Sequence, residues 1–185
     1  MSKILKLPFG ADVSAIQDAL EAHPELWNQN TGRTADPASP HHGLDDIWVR
    51  YAADGVDGSQ PHESVWRVPD DILPVRSCVY ALMGAVRGDQ LGGVLITRIP
   101  PGGLCKPHTD PGWHARHYEK IAVQIKGDDM QAFCFRGEEL VTKDGEIFWF
   151  DNAHEHWVEN ASDRERITMI VCIRTREFDD LKEPV

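Results

Sequence analysis

What most constrains this chain is a change of character at Gly92, beyond which it runs in short stretches of strand-forming residues, each closed by Gly, Pro, Asn or Asp. Candidate strands fall near 93–99, 104–108, 120–126, 131–136, 139–142, 146–150, 156–160 and 166–174. The connections Lys126-Gly127-Asp128-Asp129, Arg136-Gly137-Glu138 and Lys143-Asp144-Gly145 each offer a residue that tolerates positive φ, which tight reversals demand. Eight short strands punctuated in this way predict a mainly β fold of the jelly-roll type.

The half before Gly92 reads differently. Residues 11–22 predict a helix, with Asp12 placed to cap the first turn, Ile16 and Leu20 four apart on one face, and Pro24 ending it. Residues 28–60 are rich in Gly, Pro, Asp, Asn and Ser, and the apolar island Ile47-Trp48-Val49-Arg50-Tyr51 within them predicts an edge strand. From Pro74 to Arg87, the residues Val75, Cys78, Val79, Leu82, Met83 and Val86 recur at spacings of three and four, with Pro74 suited to a first turn and Gly88 to the stop. An amphipathic helix packed on the sheet is expected there. The expected organisation is a single domain over 1–185, with a helical and loop part at 1–91 covering the sheet, a β core at 92–175 and a C-terminal tail at 176–185.

Charge narrows the partners. With 19 Lys and Arg against 30 Asp and Glu the formal charge is −11, which repels phosphate backbones and anionic membrane surfaces, so neither nucleic acid nor membrane is an expected partner. No apolar run approaches the ~20 residues of a membrane helix. The opening Met1-Ser2-Lys3-Ile4-Leu5-Lys6-Leu7-Pro8 lacks the apolar stretch of a secretory signal, and a cytoplasmic location is expected. Cys78, Cys105, Cys134 and Cys172 form no CxxC pair, which argues against a zinc knuckle or a dithiol redox motif. They are expected as reduced thiols, Cys105 serving as a small buried apolar residue.

The residues that carry chemistry are His108 and Asp110, a distal His, and Arg166. In a chain with 9 His a single HxD arises by chance; its position gives this one weight. It follows the strand run Gly93–Ile99 and the turn Pro100-Pro101-Gly102-Gly103, and Pro111-Gly112 closes it. Side chains alternate along a strand, so His108 and Asp110 point the same way. A third ligand must come from elsewhere, and His154 and His156 both qualify, each followed ten positions later by an Arg. Arg166 opens the apolar run Ile167–Ile173, whereas Arg164 sits in the turn Ser162-Asp163-Arg164-Glu165, so strand logic favours His156 with Arg166. Two imidazoles and one carboxylate on one face of a first-row metal leave the opposite face open, which suits non-haem Fe(II) binding a bidentate organic acid and then dioxygen. A planar guanidinium such as that of Arg166 gives a carboxylate two parallel hydrogen bonds.

Two stretches carry a family resemblance. Gly145-Glu146-Ile147-Phe148-Trp149-Phe150-Asp151-Asn152 runs into Glu155-His156, then Asn160 and Arg166; Leu95-Ile96-Thr97-Arg98-Ile99-Pro100-Pro101-Gly102 leads into Lys106-Pro107-His108-Thr109-Asp110. Over roughly residues 92–175 the chain resembles the aspartyl/asparaginyl β-hydroxylase family. That family uses Fe(II) and 2-oxoglutarate on a double-stranded β-helix, a cupin-like jelly roll. The resemblance implies that His108 and His156 bind iron and that Arg166 pairs with the distal carboxylate of 2-oxoglutarate. It implies the same carboxylate as partner for Thr97. Asp110 completes a full triad, whereas some members hold iron with two His alone. Where the family tends to have an Arg, with a His two residues later, for the inner carboxylate, this chain has Lys120 and Ala122. Lys120 would supply the charge there, or Arg116 or His117 from the preceding segment.

Candidate substrate contacts are Trp113 and Arg116 in the aromatic, basic segment Gly112-Trp113-His114-Ala115-Arg116-His117-Tyr118, and Arg50 beside Trp48. His41 and His42, in a Pro-rich loop, read as surface residues. The implied activity is an Fe(II)/2-oxoglutarate-dependent dioxygenase that hydroxylates a C–H bond of an aspartyl- or asparaginyl-type side chain, with decarboxylation of 2-oxoglutarate to succinate and CO2. Its partners would be 2-oxoglutarate, dioxygen and a small-molecule or peptide/protein substrate. Alternatives are the same chemistry on a prolyl site, a free amino acid or a small metabolite, and a non-catalytic metal- or ligand-binding cupin-like barrel. A cupin-type isomerase usually gathers more His, and a binding-only barrel has no need of Arg166.

Overall fold

Two antiparallel sheets face each other in the computed structural model, which describes residues 2–69 and 72–178. In chain order the elements are β1 (Ile4–Gly10), α1 (Ser14–Ala22), a 3-10 turn (Pro24–Leu26), β2 (Asp45–Ala52), β3 (Ser64–Trp66), α2 (Leu73–Ala85), β4 (Gln90–Ile99), β5 (Leu104–His108) and α3 (Gly112–His117). Then follow β6 (Glu119–Lys126), β7 (Gln131–Phe135), β8 (Glu138–Val141), β9 (Glu146–Phe150), β10 (His156–Asn160) and β11 (Arg166–Arg174). The larger sheet has the order β1-β9-β6-β11-β4-β2-β3 and the smaller β5-β10-β7-β8. This is the mainly β jelly roll expected, and all eight strands predicted beyond Gly92 form.

Burial of the larger sheet on both faces explains why β11 reads as an unbroken apolar run. Ile167, Met169, Val171 and Ile173 join Ile16 and Leu20 of α1 and Val75, Val79 and Leu82 of α2 in the main core. Arg166, Thr168, Ile170 and Cys172, of the opposite parity, line the space between the sheets. A smaller core of Phe133, Phe135, Phe148, Phe150 and Ala122 ties the two sheets together beside that space.

The N-terminal part does more than cover the sheet, since it also supplies three of its strands. β1 takes one edge, where Pro8 costs no ladder bond. β2 is an interior strand and not an edge, because the three-residue β3 pairs outside it. The first helix starts at Ser14, later than predicted, and Asp12 does not cap it. Its carboxylate instead accepts from Ser14 N and Oγ at 3.0 and 2.6 Å.

At the end of α2 the left-handed residue is Arg87 (φ 51°), with Gly88 N–H donating to Met83 O at 2.9 Å. A Cβ on Gly88 would lie 2.5 Å from Ile173 Cγ2, so glycine is needed there for closeness rather than for φ. Gly137 and Gly145 do take positive φ, but Gly127 does not; its Cβ would stand 2.2 Å from Thr142 O. No helix among the described residues is long and apolar enough to cross a membrane. Of the expected tail, residues 179–185 lie outside the described residues.

Candidate active site

The site begins with strand register. β10 runs antiparallel to β5 with His156 opposite His108 and Val158 opposite Cys105, so two steps on β10 match three on β5. The extra residue is a β-bulge, and it lets both Cys105 and His108 face the space between the sheets. The two imidazole centroids are 4.4 Å apart. His108 Nδ1 donates to Lys106 O at 2.7 Å and His156 Nδ1 to His154 O at 2.9 Å. A carbonyl only accepts, so both rings carry the proton on Nδ1 and present an Nε2 lone pair.

Asp110 enters just after β5, its backbone N–H donating to Asn152 O at 3.1 Å. Its Oδ1 lies 3.6 Å from His108 Nε2. Donor atoms of His108, Asp110 and His156 all fall within 4.8 Å of one another, which suits a single first-row ion. Phe133 stacks on His156 at 5.5 Å and 12°, and burial pulls the His156 pKa down, toward the neutral form a metal requires. His154, the other candidate ligand, is exposed and bonds Asp151 Oδ2 at 2.9 Å.

Between the sheets lies a cavity of about 350 Å³. Arg166 reaches it from the start of β11 with 1% of its surface exposed, and Nε, Nη1 and Nη2 all lack a hydrogen-bond partner. Burial pulls its pKa down to about 10, so it remains a cation at neutral pH. An unpaired buried cation costs several kcal/mol, and a bound carboxylate would remove that cost. Arg164, by contrast, is 69% exposed, with Asp128 at 4.0 Å.

Thr97 lines the cavity, opposite Thr168 on β11, but its hydroxyl is occupied. It donates to Asp46 Oδ1 at 3.0 Å and accepts from Arg33 Nη2 at 2.7 Å. Lys120, in register with Cys172, has Nζ 3.7 Å from Asp110 Oδ2. Burial works against its ammonium, but the adjacent Cys172 and Asp110 more than offset that and the net shift is upward. Ala122 is fully buried in the smaller core.

The segment after the ligand pair is helical and not a loop, and this redistributes its residues. Helical spacing sends Trp113, Arg116 and His117 to one face, where they line a separate cleft with His62 and Gln90; His114 and Ala115 turn to the cavity. Trp113, Arg116 and His117 therefore line that cleft and not the cavity that holds Lys120. His114, missed by sequence reasoning, accepts from Gly93 N–H through Nε2 at 3.2 Å, and burial pulls its pKa down to about 3. Arg50 does line the cavity.

His41 is no surface residue. It lines the cavity with its ring edge-on to His108 at 4.7 Å, and burial, then Arg33, lower its pKa to about 2. With Cys105 and His108 it makes a second possible donor group, although burial pushes the Cys105 thiol up to about 12 and keeps it protonated. The oxygen-containing set is the better match to iron. Arg33 was missed as well; it pairs with buried Asp46 through two hydrogen bonds of 2.6 and 2.9 Å.

Comparison with known proteins bears on the family and the fold. A family model described as aspartyl/asparaginyl beta-hydroxylase matches residues 74–175. No curated protein matches the chain. Among solved structures, a Trichoplax adhaerens prolyl hydroxylase in complex with a hypoxia inducible factor peptide aligns at TM-score 0.59 and 10% identity, covering 98% of this chain and 88% of its own. A 2OG-Fe(II) oxygenase family oxidoreductase from Burkholderia pseudomallei aligns at 0.58 and 16%, covering 92% and 84%. A viral collagen prolyl hydroxylase from Paramecium Bursaria Chlorella virus-1, solved with 2OG, aligns at 0.57 and 13%, covering 94% and 97%. At these identities the likeness is one of fold.

Proposed function

The chain belongs to the aspartyl/asparaginyl β-hydroxylase family and is an oxygenase of the iron(II)/2-oxoglutarate class; we propose that it hydroxylates a C–H bond of an aspartyl- or asparaginyl-type side chain, on a small molecule or within a peptide or protein, while 2-oxoglutarate is converted to succinate and CO2. In this reading His108, Asp110 and His156 hold Fe(II), and Arg166 takes the distal carboxylate of 2-oxoglutarate. The observation that carries it is Arg166, a buried guanidinium with three partnerless nitrogens in the same cavity as the three ligands.

Iron and 2-oxoglutarate, when bound, supply the oxidising chemistry; the chain supplies position and exclusion. The two Nδ1–H bonds to backbone carbonyls aim both imidazoles. Arg166 fixes the direction of the cosubstrate. Lys120 braces Asp110 and would offer its ammonium to the inner carboxylate of 2-oxoglutarate. Phe133 and Phe150 keep water from the His156 side. Thr97, held by Asp46 and Arg33, keeps the adjoining wall polar. Arg50 stands on the substrate side. Four free cysteines support a reducing, cytoplasmic setting.

The test is oxygen-dependent formation of succinate from 2-oxoglutarate after Fe(II) loading. It is expected in wild type and lost in His108→Ala and His156→Ala; equal rates in all three would refute the assignment.

A further inference from the structure

The cavity carries a second set of partnerless donors, away from Arg166. Trp48 and Arg50 alternate with Ile47 and Val49 along β2, so the latter two enter the main core and the former two project between the sheets. Trp48 Nε1 and Arg50 Nε are both buried without a hydrogen-bond partner. Arg50 Nη1 donates to Leu91 O and Gly92 O at 3.0 and 2.8 Å, which fixes the guanidinium and leaves its Nε edge uncommitted. No carboxylate among the described residues forms an ion pair with it. Trp48 is itself steadied by Tyr51, edge-on at 4.7 Å.

The position of this pair separates it from the cosubstrate anchor. Arg50 lies opposite Val94 and Arg166 opposite Ile99, on the two sides of β4. Five positions along a strand separate the two backbones by about 16 Å, so the side chains enter the cavity from different ends. With Arg166 assigned to the cosubstrate, Arg50 is left for a second molecule.

Resting on the active-site reading above, the geometry points to Arg50 and Trp48 as the pair that determines substrate specificity: together they receive a carboxylate and discriminate against its amide. Both groups only donate. A carboxylate accepts from the guanidinium edge and from the indole at once, whereas an amide turns an NH2 toward donors and leaves hydrogens unsatisfied. The substrate class is thus an acid, carried on a side chain or on a free small molecule.

The test is calorimetric titration of the protein loaded with Mn(II) and 2-oxoglutarate, using N-acetyl-aspartyl-methylamide and N-acetyl-asparaginyl-methylamide as a shape-matched pair, and free aspartate and asparagine as a second. In at least one pair the acid is expected to bind about tenfold or more tightly than its amide, and the tighter pair identifies the carrier. Arg50→Gln should bring the ratio near one. Trp48→Phe, which removes only the N–H from a side chain of similar shape, should weaken the acid severalfold and leave the amide unchanged. Equal affinity for acid and amide, no binding of either pair, or a preference that survives both substitutions would overturn the proposal. The visible band of the anaerobic Fe(II)–2-oxoglutarate complex separates this failure from failure of the site itself: a band in wild type that persists in Arg50→Gln leaves the site standing, and no band in wild type would sink the site.

Discussion

His156 lies directly across the β5–β10 pair from His108, with ring centroids 4.4 Å apart, though one ends β5 and the other begins β10. That single cross-strand relation makes a metal site out of two histidines distant in sequence. It depends on the bulge in β5, since an unbulged strand would place Cys105 and His108 on opposite faces. Asp110 then needs only the short reach past the strand end, where the Asn152 carbonyl holds its backbone.

Arg166 should be unfavourable for stability in the ligand-free protein. Replacing it by Met, similar in length and apolar, is expected to raise ligand-free stability by about 1–3 kcal/mol and to abolish the stabilisation that 2-oxoglutarate gives in thermal melts. A lower melting temperature without ligand would mean that the guanidinium serves the fold.

The Arg33–Asp46 pair secures the loop that carries His41 to the cavity. Asp46 is fully buried, so Asp46→Ala should cost about 3–5 kcal/mol, measured by urea unfolding, and release Thr97 from its present bonds. A cost below 1 kcal/mol would show that the pair does not hold the loop.

Acid sensitivity follows from His114. Its folded pKa, about 3, lies below the ordinary 6.5 because burial disfavours the charged ring. Between those values the unfolded chain holds the proton and the folded chain does not. Stability is therefore full above about pH 6.5 and falls as pH drops toward 3. Protonation would also remove the acceptor for Gly93 N–H. At pH 5, metal-free His114→Gln should take up about one proton fewer on unfolding than wild type, by urea midpoints across pH. The same uptake in both would contradict the assignment.

Much of this was legible in sequence wherever a signal was local and periodic. The strands beyond Gly92 announced themselves by apolar runs between turn residues, and Arg166 by opening the longest of them. His108 and Asp110 needed only a strand end. Elements without a period were hidden. The six residues of α3 are too few to display helical spacing, so His114 was passed over and Trp113 and Arg116 were misplaced. β3 has three residues and β1 contains a proline. His41 and Arg33 ride on an irregular loop, whose path over the cavity is set by tertiary bonds such as Lys106 N–H to Pro40 O. Lys120 could be placed by resemblance, but its contact with Asp110 depends on the packing of β6 against the β5 end.

The most direct measurement is anaerobic titration with Fe(II) and 2-oxoglutarate, followed by the visible charge-transfer band of the chelate, in wild type and Arg166→Ala. Wild type should develop the band at low 2-oxoglutarate, and the variant should require roughly 100-fold more, as expected when a bidentate charged contact worth about 3 kcal/mol is lost. Equal half-saturation in the two proteins would contradict the account.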